Sequence, residues 1–215
     1  GGNVDKSALL CVAKTTSDAL AFKNVLGLVK VTVPGDMKIA RITLRGKDNE
    51  TLAGTGTIEV TDTPKFDATE AATSITLTYA DNGVFPAGEY YLAVAPVEFK
   101  NGFTISFTKV DAKTALKEAT KSNTVARNGG LDTKNLLTTL SWVYEIYNKT
   151  DLLNWGANWG RYDHVILMAD IDMEEELWTP VGDGDNWFCG VFDGNQKKIY
   201  NFNVNTDGYA GFIGH

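Results

Sequence analysis

The feature that most constrains the fold is a series of short runs in which apolar and polar residues alternate, each ended by a turn signal such as Asp81-Asn82-Gly83. Six runs share this pattern: 28–33, 40–44, 57–61, 74–79, 90–94 and 103–107. Successive side chains of a strand point to opposite faces, so the alternation predicts strands with one buried face. The β-branched residues and the spacing of the runs are typical of an all-β sandwich. Residues 112–119 contain helix formers, but we interpret this short segment as a strand that bends back after its predecessor.

Charge and tryptophan content divide the chain into two parts. Residues 1–140 contain 16 Lys and Arg against 15 Asp and Glu, whereas residues 141–215 contain 4 against 12, together with all five tryptophans. A change of composition along a chain is typical of a domain boundary, so we predict two domains, 1–140 and 141–215. The net charge of −7 argues against nucleic-acid binding. No apolar run reaches the roughly 18 residues that a membrane-spanning helix needs.

Several short motifs of the first part occur in a recognisable order. They are FKN at 22–24, LVKV at 28–31, ITLRG at 42–46, LAG at 52–54, FPAGEYY at 85–91 and GFTISF at 102–107. Over residues 8–140 the chain thereby resembles the fimbrillin-like domains of Bacteroidetes surface proteins. The resemblance implies a Greek-key, transthyretin-like β-sandwich, export as a lipoprotein and a place in a pilus or adhesin at the cell surface or outer membrane. Cys11 lies too far inside the first predicted strand to be the lipidated residue, so we expect membrane contact only through a lipid anchor outside this sequence.

The second part begins with a short predicted helix over residues 150–159. Thr150 is a suitable N-cap for this helix because its hydroxyl can accept a hydrogen bond from a free backbone amide of the first turn. Apolar residues recur at helical spacing and predict one buried face. They are Leu152, Trp155 and Trp159. A strand is predicted to follow at 164–169.

The motifs of the second part are more specific. They are DID at 170–172, WTPVG at 178–182, FCGVFDGN at 188–195, IYNF at 199–202 and GFIG at 211–214. In order and spacing they resemble the GLUG-type repeat of bacterial surface proteins over residues 145–214. Gln196 stands where that repeat usually has glycine, and Phe212-Ile213 replaces its usual Leu-Phe pair. The resemblance implies a right-handed parallel β-helix or solenoid of the kind found in adhesins, and we predict that the helix leads into its first coil.

A single solenoid coil cannot bury its own apolar face, and about three or more repeats are normally needed for stability. This sequence contains about one such repeat. We therefore expect the natural protein to continue past His215. Within this sequence, the last coil would have to pack on the sandwich, pair with a second chain or fray.

The best candidates for a ligand-binding site lie in one polar loop of the second part. We expect Trp187, flanked by Asn186 and Phe188, to be partly exposed and able to stack on a sugar ring, whereas Trp155, Trp159 and Trp178 lie on apolar faces and fit the core. Residues Asp183, Asp185 and Asn186 complete the candidate set. Hard oxygen ligands suit calcium, so Asp183, Asp185 and Asp193 form an alternative metal site, although the full twelve-residue calcium loop is absent.

Other polar residues are assigned structural roles. Asp170 and Asp172 alternate on a predicted strand and share a face, as the acid pair of a glycoside hydrolase would require. The DID motif belongs to the repeat itself, however, so a structural turn role is favoured and no catalytic residue is assigned. His164 is interpreted as a capping or surface histidine. For Cys11 and Cys189 two buried free thiols are favoured over a disulfide.

These features predict a non-enzymatic cell-surface adhesin or pilus-associated protein. Its partners would be a host or glycan ligand, or other surface and pilus subunits, with no cofactor and no nucleic acid. Two alternatives stay open: a polysaccharide-active β-helix enzyme (glycoside hydrolase or lyase), and a glycan-binding module of a larger surface protein.

Overall fold

The computed structural model describes residues 10–35, 37–80, 83–134, 137, 140–204, 208 and 210–214. The turn predicted at Asp81-Asn82 and the terminal His215 lie outside these residues. The fold is mainly β, with a single α-helix in the described part of the chain. The chain divides into two compact units, one formed by residues 1–110 and 115–141 and the other by residues 111–114 and 142–215.

Every predicted run of the first unit overlaps a strand, and the unit contains further short strands and the strand β6 (Lys65–Ala72) that were not predicted. They are β1 (Cys11–Val12), β2 (Lys23–Asn24), β3 (Gly27–Val33), β4 (Ile39–Gly46), β5 (Ala53–Glu59), β6 (Lys65–Ala72), β7 (Ser74–Thr78), β8 (Gly88–Val94), β9 (Val97–Phe99), β10 (Phe103–Lys109), β11 (Lys113–Ala119), β12 (Asn123–Val125) and β13 (Gly130–Asp132). The interpretation of residues 112–119 as a strand is confirmed, because β11 lies beside β10 in its sheet. The first two residues of β11 belong to the second unit.

Two sheets carry most of the first unit. One has the order β11-β10-β4-β7 within the unit, and the other has the order β13-β3-β8, with β13 parallel to β3. On β3 every second residue is buried, beginning with Gly27 and ending with Val33. Buried apolar residues line β4 and β10 in the same way, among them Leu44 and Ile105. One buried face on each sheet gives the unit a sandwich-like character.

The β5–β6 pair departs from this pattern. Its two strands pair only with each other in the described part of the chain, and both are exposed along most of their length. The alternation at 57–61 predicted a strand with one buried face, but β5 ends at Glu59 and is polar on both sides. The hairpin is joined to the rest of the unit at its base, where Leu52 N donates to Ala72 O and Ala95 N donates to Leu52 O.

The second unit is built from parallel strands. Its elements are β14 (Val143–Ile146), α1 (Lys149–Asn158), β15 (His164–Leu167), β16 (Ile171–Trp178), β17 (Val191–Asp193) and β18 (Ile199–Val204). β15 lies between β14 and β17, parallel to both, and β16 pairs in parallel with β18. A parallel bridge joins Val181 to Ile213. The chain therefore makes two stacked passes. The first pass consists of β15, β16 and Val181, and the second consists of β17, β18 and Ile213, each element pairing in parallel with its counterpart.

Helix α1 begins one residue earlier than predicted. The N-cap is Asn148 rather than Thr150, and its side-chain oxygen accepts a hydrogen bond from Asp151 N at 3.0 Å. Asp151 in turn accepts from Tyr147 N at 3.0 Å, so the two side chains satisfy two backbone amides around the start of the helix. Thr150 cannot serve as the cap because it already has helical geometry within the first turn.

The core of the second unit is dominated by aromatic rings. Its buried members are Tyr144, Ile146, Leu152, Trp155, Val165, Leu167, Ile171, Met173, Trp178 and Val181. Trp155 stacks on Trp178 at 6.3 Å between ring centroids, and Trp178 stacks on Phe212 at 4.6 Å. Gly156 permits this packing, since a Cβ there would lie 2.6 Å from the Trp178 ring. The predicted core positions of Trp155 and Trp178 are confirmed, and Trp159 is half-buried.

Two further observations concern the surface. The prediction of buried thiols is wrong, because Cys11 and Cys189 are both free and exposed. Cys11 Sγ donates to Asn24 Oδ1 at 2.8 Å in the exposed β1–β2 pair, a site that offers no apolar enclosure. Among the described residues, no helix is both long and apolar enough to cross a bilayer.

Candidate functional site

Two exposed aromatic side chains of the second unit lie near one arginine. We call Arg161, Tyr162, Trp187 and Cys189 the Arg161 patch. Tyr162 is 77% exposed and Trp187 is 44% exposed. Arg161 Cζ lies 5.3 Å from the centroid of the Trp187 ring and 5.8 Å from that of Tyr162. The guanidinium therefore lies near both rings, at distances typical of cation–π contacts.

The loop before β17 holds the Trp187 ring in place. Asp183 Oδ1 accepts hydrogen bonds from Asp185 N at 2.9 Å and from Asn186 N at 2.8 Å. Asp183 N donates to Asn186 O at 3.0 Å, which closes the loop on itself. Trp187 Nε1 donates to Gly184 O at 3.0 Å, so the indole is anchored by its polar edge while part of its ring faces solvent.

The turn that carries Arg161 and Tyr162 is fixed by a buried carboxylate. Asp163 is 7% exposed, and its Oδ2 accepts from Trp155 Nε1 at 3.1 Å and from Gly160 N at 2.7 Å. Its Oδ1 forms an ion pair with Lys113 Nζ at 3.1 Å. A buried carboxylate needs such partners, and here they tie the turn to the helix and to residues 111–114.

The backbone brings the two halves of the patch together. Val191 N donates to Asp163 O at 2.8 Å, and Cys189 N donates to Arg161 O at 2.7 Å. Gly190 lies between these bonds, and a Cβ there would meet Asp163 O at 2.0 Å. Any side chain at residue 190 would push the two segments apart, so glycine is required for their close approach.

Two cations of this region have perturbed pKa values. Burial lowers the pKa of Lys113, but the hydrogen bond to Asp163 and the nearby charges outweigh burial and leave that pKa above its usual value. Lys113 Nζ also lies 4.9 Å from the centroid of the Tyr144 ring. The hydrogen bond to the Cys189 sulfur raises the pKa of Arg161, which is charged at any physiological pH.

The predicted ligand-binding residues lie together, but they have different roles. The expected partial exposure of Trp187 is confirmed, and Asp183, Asp185 and Asn186 are exposed in the same loop. Asp183 has a structural role, because its Oδ1 accepts the two backbone hydrogen bonds that close the loop.

The calcium alternative is not supported. Asp193 lies on β17, and its Oδ1 accepts from Asn195 N at 2.8 Å. Asp183 Oδ1 is likewise occupied by the backbone amides of its own loop. In the described ranges no three acidic, histidine or cysteine side chains are grouped so that they could hold a metal ion, and Asp183, Asp185 and Asp193 form no such group.

The carboxylates of the DID motif connect the two stacked passes. Asp170 Oδ1 accepts from Lys198 N at 3.0 Å. Asp172 Oδ1 accepts from Glu174 N at 2.9 Å and from Asn201 Nδ2 at 3.0 Å. Asp170 thus links the residue before β16 to the turn before β18, and Asp172 links β16 to β18. His164 is exposed at the start of β15, where it is paired in register with Val191.

Arg161 and Tyr162 were missed by the sequence reading. The signal that could have found them is a polar turn, Gly160 to Asp163, placed between the helix and a strand and containing a large aromatic residue without an apolar neighbour. Their contact with Trp187 depends on the pairing of β15 with β17, which local patterns do not specify.

No protein-family model, curated protein or solved structure matches this chain.

Proposed function

We propose that this chain belongs to an exported, non-enzymatic adhesin or pilus-associated protein of the cell surface, and that the Arg161 patch contacts the ligand. The observation that carries the proposal is the pair of exposed rings, Tyr162 and Trp187, both held near Arg161 by hydrogen-bonded turns. The C–H groups of a sugar ring pack well on the electron-rich face of an aromatic ring. A glycan is therefore the ligand class that this surface fits best.

The proposed architecture agrees with this role. We interpret the first unit as a Greek-key, transthyretin-like sandwich similar to fimbrillin-like domains, supported by its two sheets with one buried face each. We interpret the second unit as the first coils of a parallel β-helix, supported by the parallel pairing of β15 with β17 and of β16 with β18. Stacked parallel coils present their turns in rows, which suits a rigid binding surface.

The polysaccharide-active enzyme is the weaker candidate. An acid pair needs one carboxyl group to donate a proton and another to attack or to activate water, so both must reach the substrate. Asp170 and Asp172 instead accept hydrogen bonds from the neighbouring pass. A glycan-binding module of a larger surface protein is compatible with the same patch, since it requires the same contact with the ligand.

A glycan array with the purified chain tests the proposal. We expect binding to a subset of glycans, and loss of that binding in the Tyr162→Ala/Trp187→Ala double variant. Tyr200→Ala is the matched control, because Tyr200 is an aromatic residue of the same unit with the same 44% exposure as Trp187 but lies on β18. Circular dichroism confirms that each variant is folded. A flat array response for the folded wild-type chain, or equal loss of binding in Tyr200→Ala, would overturn the proposal.

A further inference from the structure

We infer that the Arg161 patch selects sugars that carry an anionic group, a carboxylate or a sulfate, and that Arg161 is the residue that recognises the anion. This inference rests on the proposed glycan-binding function and names the ligand class within it. Three properties of Arg161 support it: the absence of an ion pair with any described residue, its restricted position and the exposed ring beside it.

Among the described residues, no carboxylate neutralises the charge of Arg161. Residues 141–215 contain 12 acidic and only 4 basic residues, so carboxylates are plentiful in this part of the chain. Lys149 pairs with Glu174 at 2.7 Å, and Lys113 pairs with Asp163. Arg161, like Lys197 and Lys198, forms no ion pair with any residue that the structure describes, but it alone of these three lies beside exposed aromatic rings. An arginine left without a carboxylate in such an acidic unit is available to an anionic ligand.

The guanidinium of Arg161 is also held in place before a ligand arrives. Its Cζ lies 5.3 Å from the centroid of the Trp187 ring and 5.8 Å from that of Tyr162, and these contacts restrict its movement. A guanidinium has five N–H donors in a planar fork, so donors remain for a bidentate contact with a carboxylate or sulfate. Because the side chain is already ordered, binding costs less conformational entropy than it would for a free arginine.

The patch offers an exposed ring and a cation next to each other. Tyr162 is the more exposed of the two rings and offers its face to a pyranose, while the arginine beside it reaches a charged substituent of that pyranose. The loop that contains Trp187 should repel an anion, since Asp183 and Asp185 both carry exposed carboxylates. Asp185 lies two residues from Trp187, so its charge should weaken the binding of an anionic sugar.

The test compares three probes by isothermal titration calorimetry with the full chain. They are a glucuronate-containing oligosaccharide, its uncharged glucose counterpart and a sulfated oligosaccharide of the same length. We expect the wild-type chain to bind at least one anionic probe about tenfold more tightly than the neutral one, the size of effect expected for charge-assisted hydrogen bonds. The carboxylated and sulfated arms show which anion the fork prefers, and preference for either supports the inference.

Variants assign the effect to Arg161. Arg161→Gln should remove the preference for the anionic probe, and Arg161→Lys, which keeps the charge but loses the fork, should retain part of it. Lys197→Gln removes the same charge from an exposed turn of the same unit and should change nothing. Asp185→Asn should strengthen anionic binding about two- to threefold, because it removes a repelling charge near the patch.

The outcomes separate this inference from the proposed function. If the wild-type chain binds the neutral and anionic probes equally, and Tyr162→Ala weakens both, glycan binding stands and the selection of anions is wrong. The inference is also wrong if Arg161→Gln weakens both probes by the same factor. If none of the glycans on the array or among the probes binds the folded chain, the proposed function itself fails.

Discussion

The two units bury their apolar side chains in different ways. In the first unit, aliphatic and β-branched residues alternate along mostly antiparallel strands, so that β3, β4 and β10 each present one buried face. In the second unit the strands are parallel and short, and the centre is filled by large rings such as Trp155 and Trp178. The first core is distributed over many similar contacts, whereas the second depends on a few large side chains.

The units also differ in what sets their strand register. In the first unit, a one-residue slip would turn the apolar face of a strand to solvent, so alternation itself specifies the register. In the second unit, polar side chains reach from one pass to the other. Asn195 Nδ2 donates to Leu167 O at 2.9 Å, and Asn203 Nδ2 donates to Glu175 O at 3.0 Å. Short parallel strands with little alternation therefore rely on side-chain hydrogen bonds to fix their alignment.

Replacing Trp155 should have the largest effect. Trp155→Ala removes a ring that is 1% exposed and leaves Asp163 without one of its donors, so we expect a loss of about 3–5 kcal/mol in unfolding free energy. Urea unfolding followed by tryptophan fluorescence measures it, because all five tryptophans lie in the second unit. Trp187→Phe, a change at a partly exposed ring, is the control. Equal losses for the two variants would contradict the idea of a core concentrated in a few rings.

The aliphatic core of the first unit should respond to a smaller deletion. Ile105→Ala on β10 removes a fully buried side chain and should cost about 2–5 kcal/mol, toward the lower end if neighbours close the gap. Far-UV circular dichroism during urea unfolding is the measurement, since most strands lie in this unit. Leu116→Ala on β11 is the matched control, because Leu116 is 55% exposed. A cost at Ile105 below that at Leu116 would show that the sheet faces are not packed as described.

Much of the first unit could be predicted from the sequence, because its strands have the alternation that burial of one face produces. The runs at 28–33 and 103–107 correspond to β3 and β10. The strand β6 was not predicted. Its sequence, KFDATEAA, has no regular apolar face, since the hairpin that contains it is exposed on both sides.

The second unit was less accessible to sequence reasoning, for a reason of topology. The helix and its buried face were predicted, but the choice between Asn148 and Thr150 as N-cap depends on backbone angles that both residues tolerate. Only about one repeat was expected, whereas the described residues form two stacked passes. At the site, the sequence predicted the exposure of Trp187, because this residue lies in a polar loop. Arg161 was not, because it meets Trp187 only after β15 and β17 pair.

The third prediction concerns Asp172, for which a structural and a catalytic role make different predictions. Its carboxylate holds Asn201 of the second pass and caps a bulge in which Glu174 and Glu175 have positive φ angles of 52° and 61°. Asp172→Ala should therefore lower the stability of the second unit by about 1 kcal/mol, as loss of exposed hydrogen bonds does. Fluorescence-detected urea unfolding measures it, with Asp185→Ala as the control. Unchanged stability, together with loss of a glycan-cleaving activity in Asp172→Asn, would favour the enzyme instead.

The smallest effect is expected at an exposed ion cluster on the β13-β3-β8 sheet of the first unit. Lys30 Nζ lies 2.9 Å from Glu89 Oε1 and 2.8 Å from Asp132 Oδ2, and so clips the short parallel strand β13 to its neighbours. The hydrogen bond from Lys30, followed by that from Tyr91, lowers the pKa of Glu89. The hydrogen bonds from Lys30 and from the Lys134 amide lower the pKa of Asp132.

Because both carboxyl pKa values are lower in the folded chain than in the unfolded chain, these contacts stabilise the fold above about pH 4.5. Their contribution is lost as the pH falls through the lowered values. In Lys30→Met we expect the pKa of Glu89 and that of Asp132 to move up toward their ordinary values, and the acid-side decline in stability to become shallower. NMR titration of the two carboxyl groups, with urea unfolding at several acidic pH values, measures both effects. Lys65→Met removes the same charge from the exposed β5–β6 hairpin and should move neither pKa. If Lys65→Met moved the two pKa values as much as Lys30→Met does, the shifts would reflect the overall charge of the chain. The ion pairs of Lys30 would then have no special role at β13.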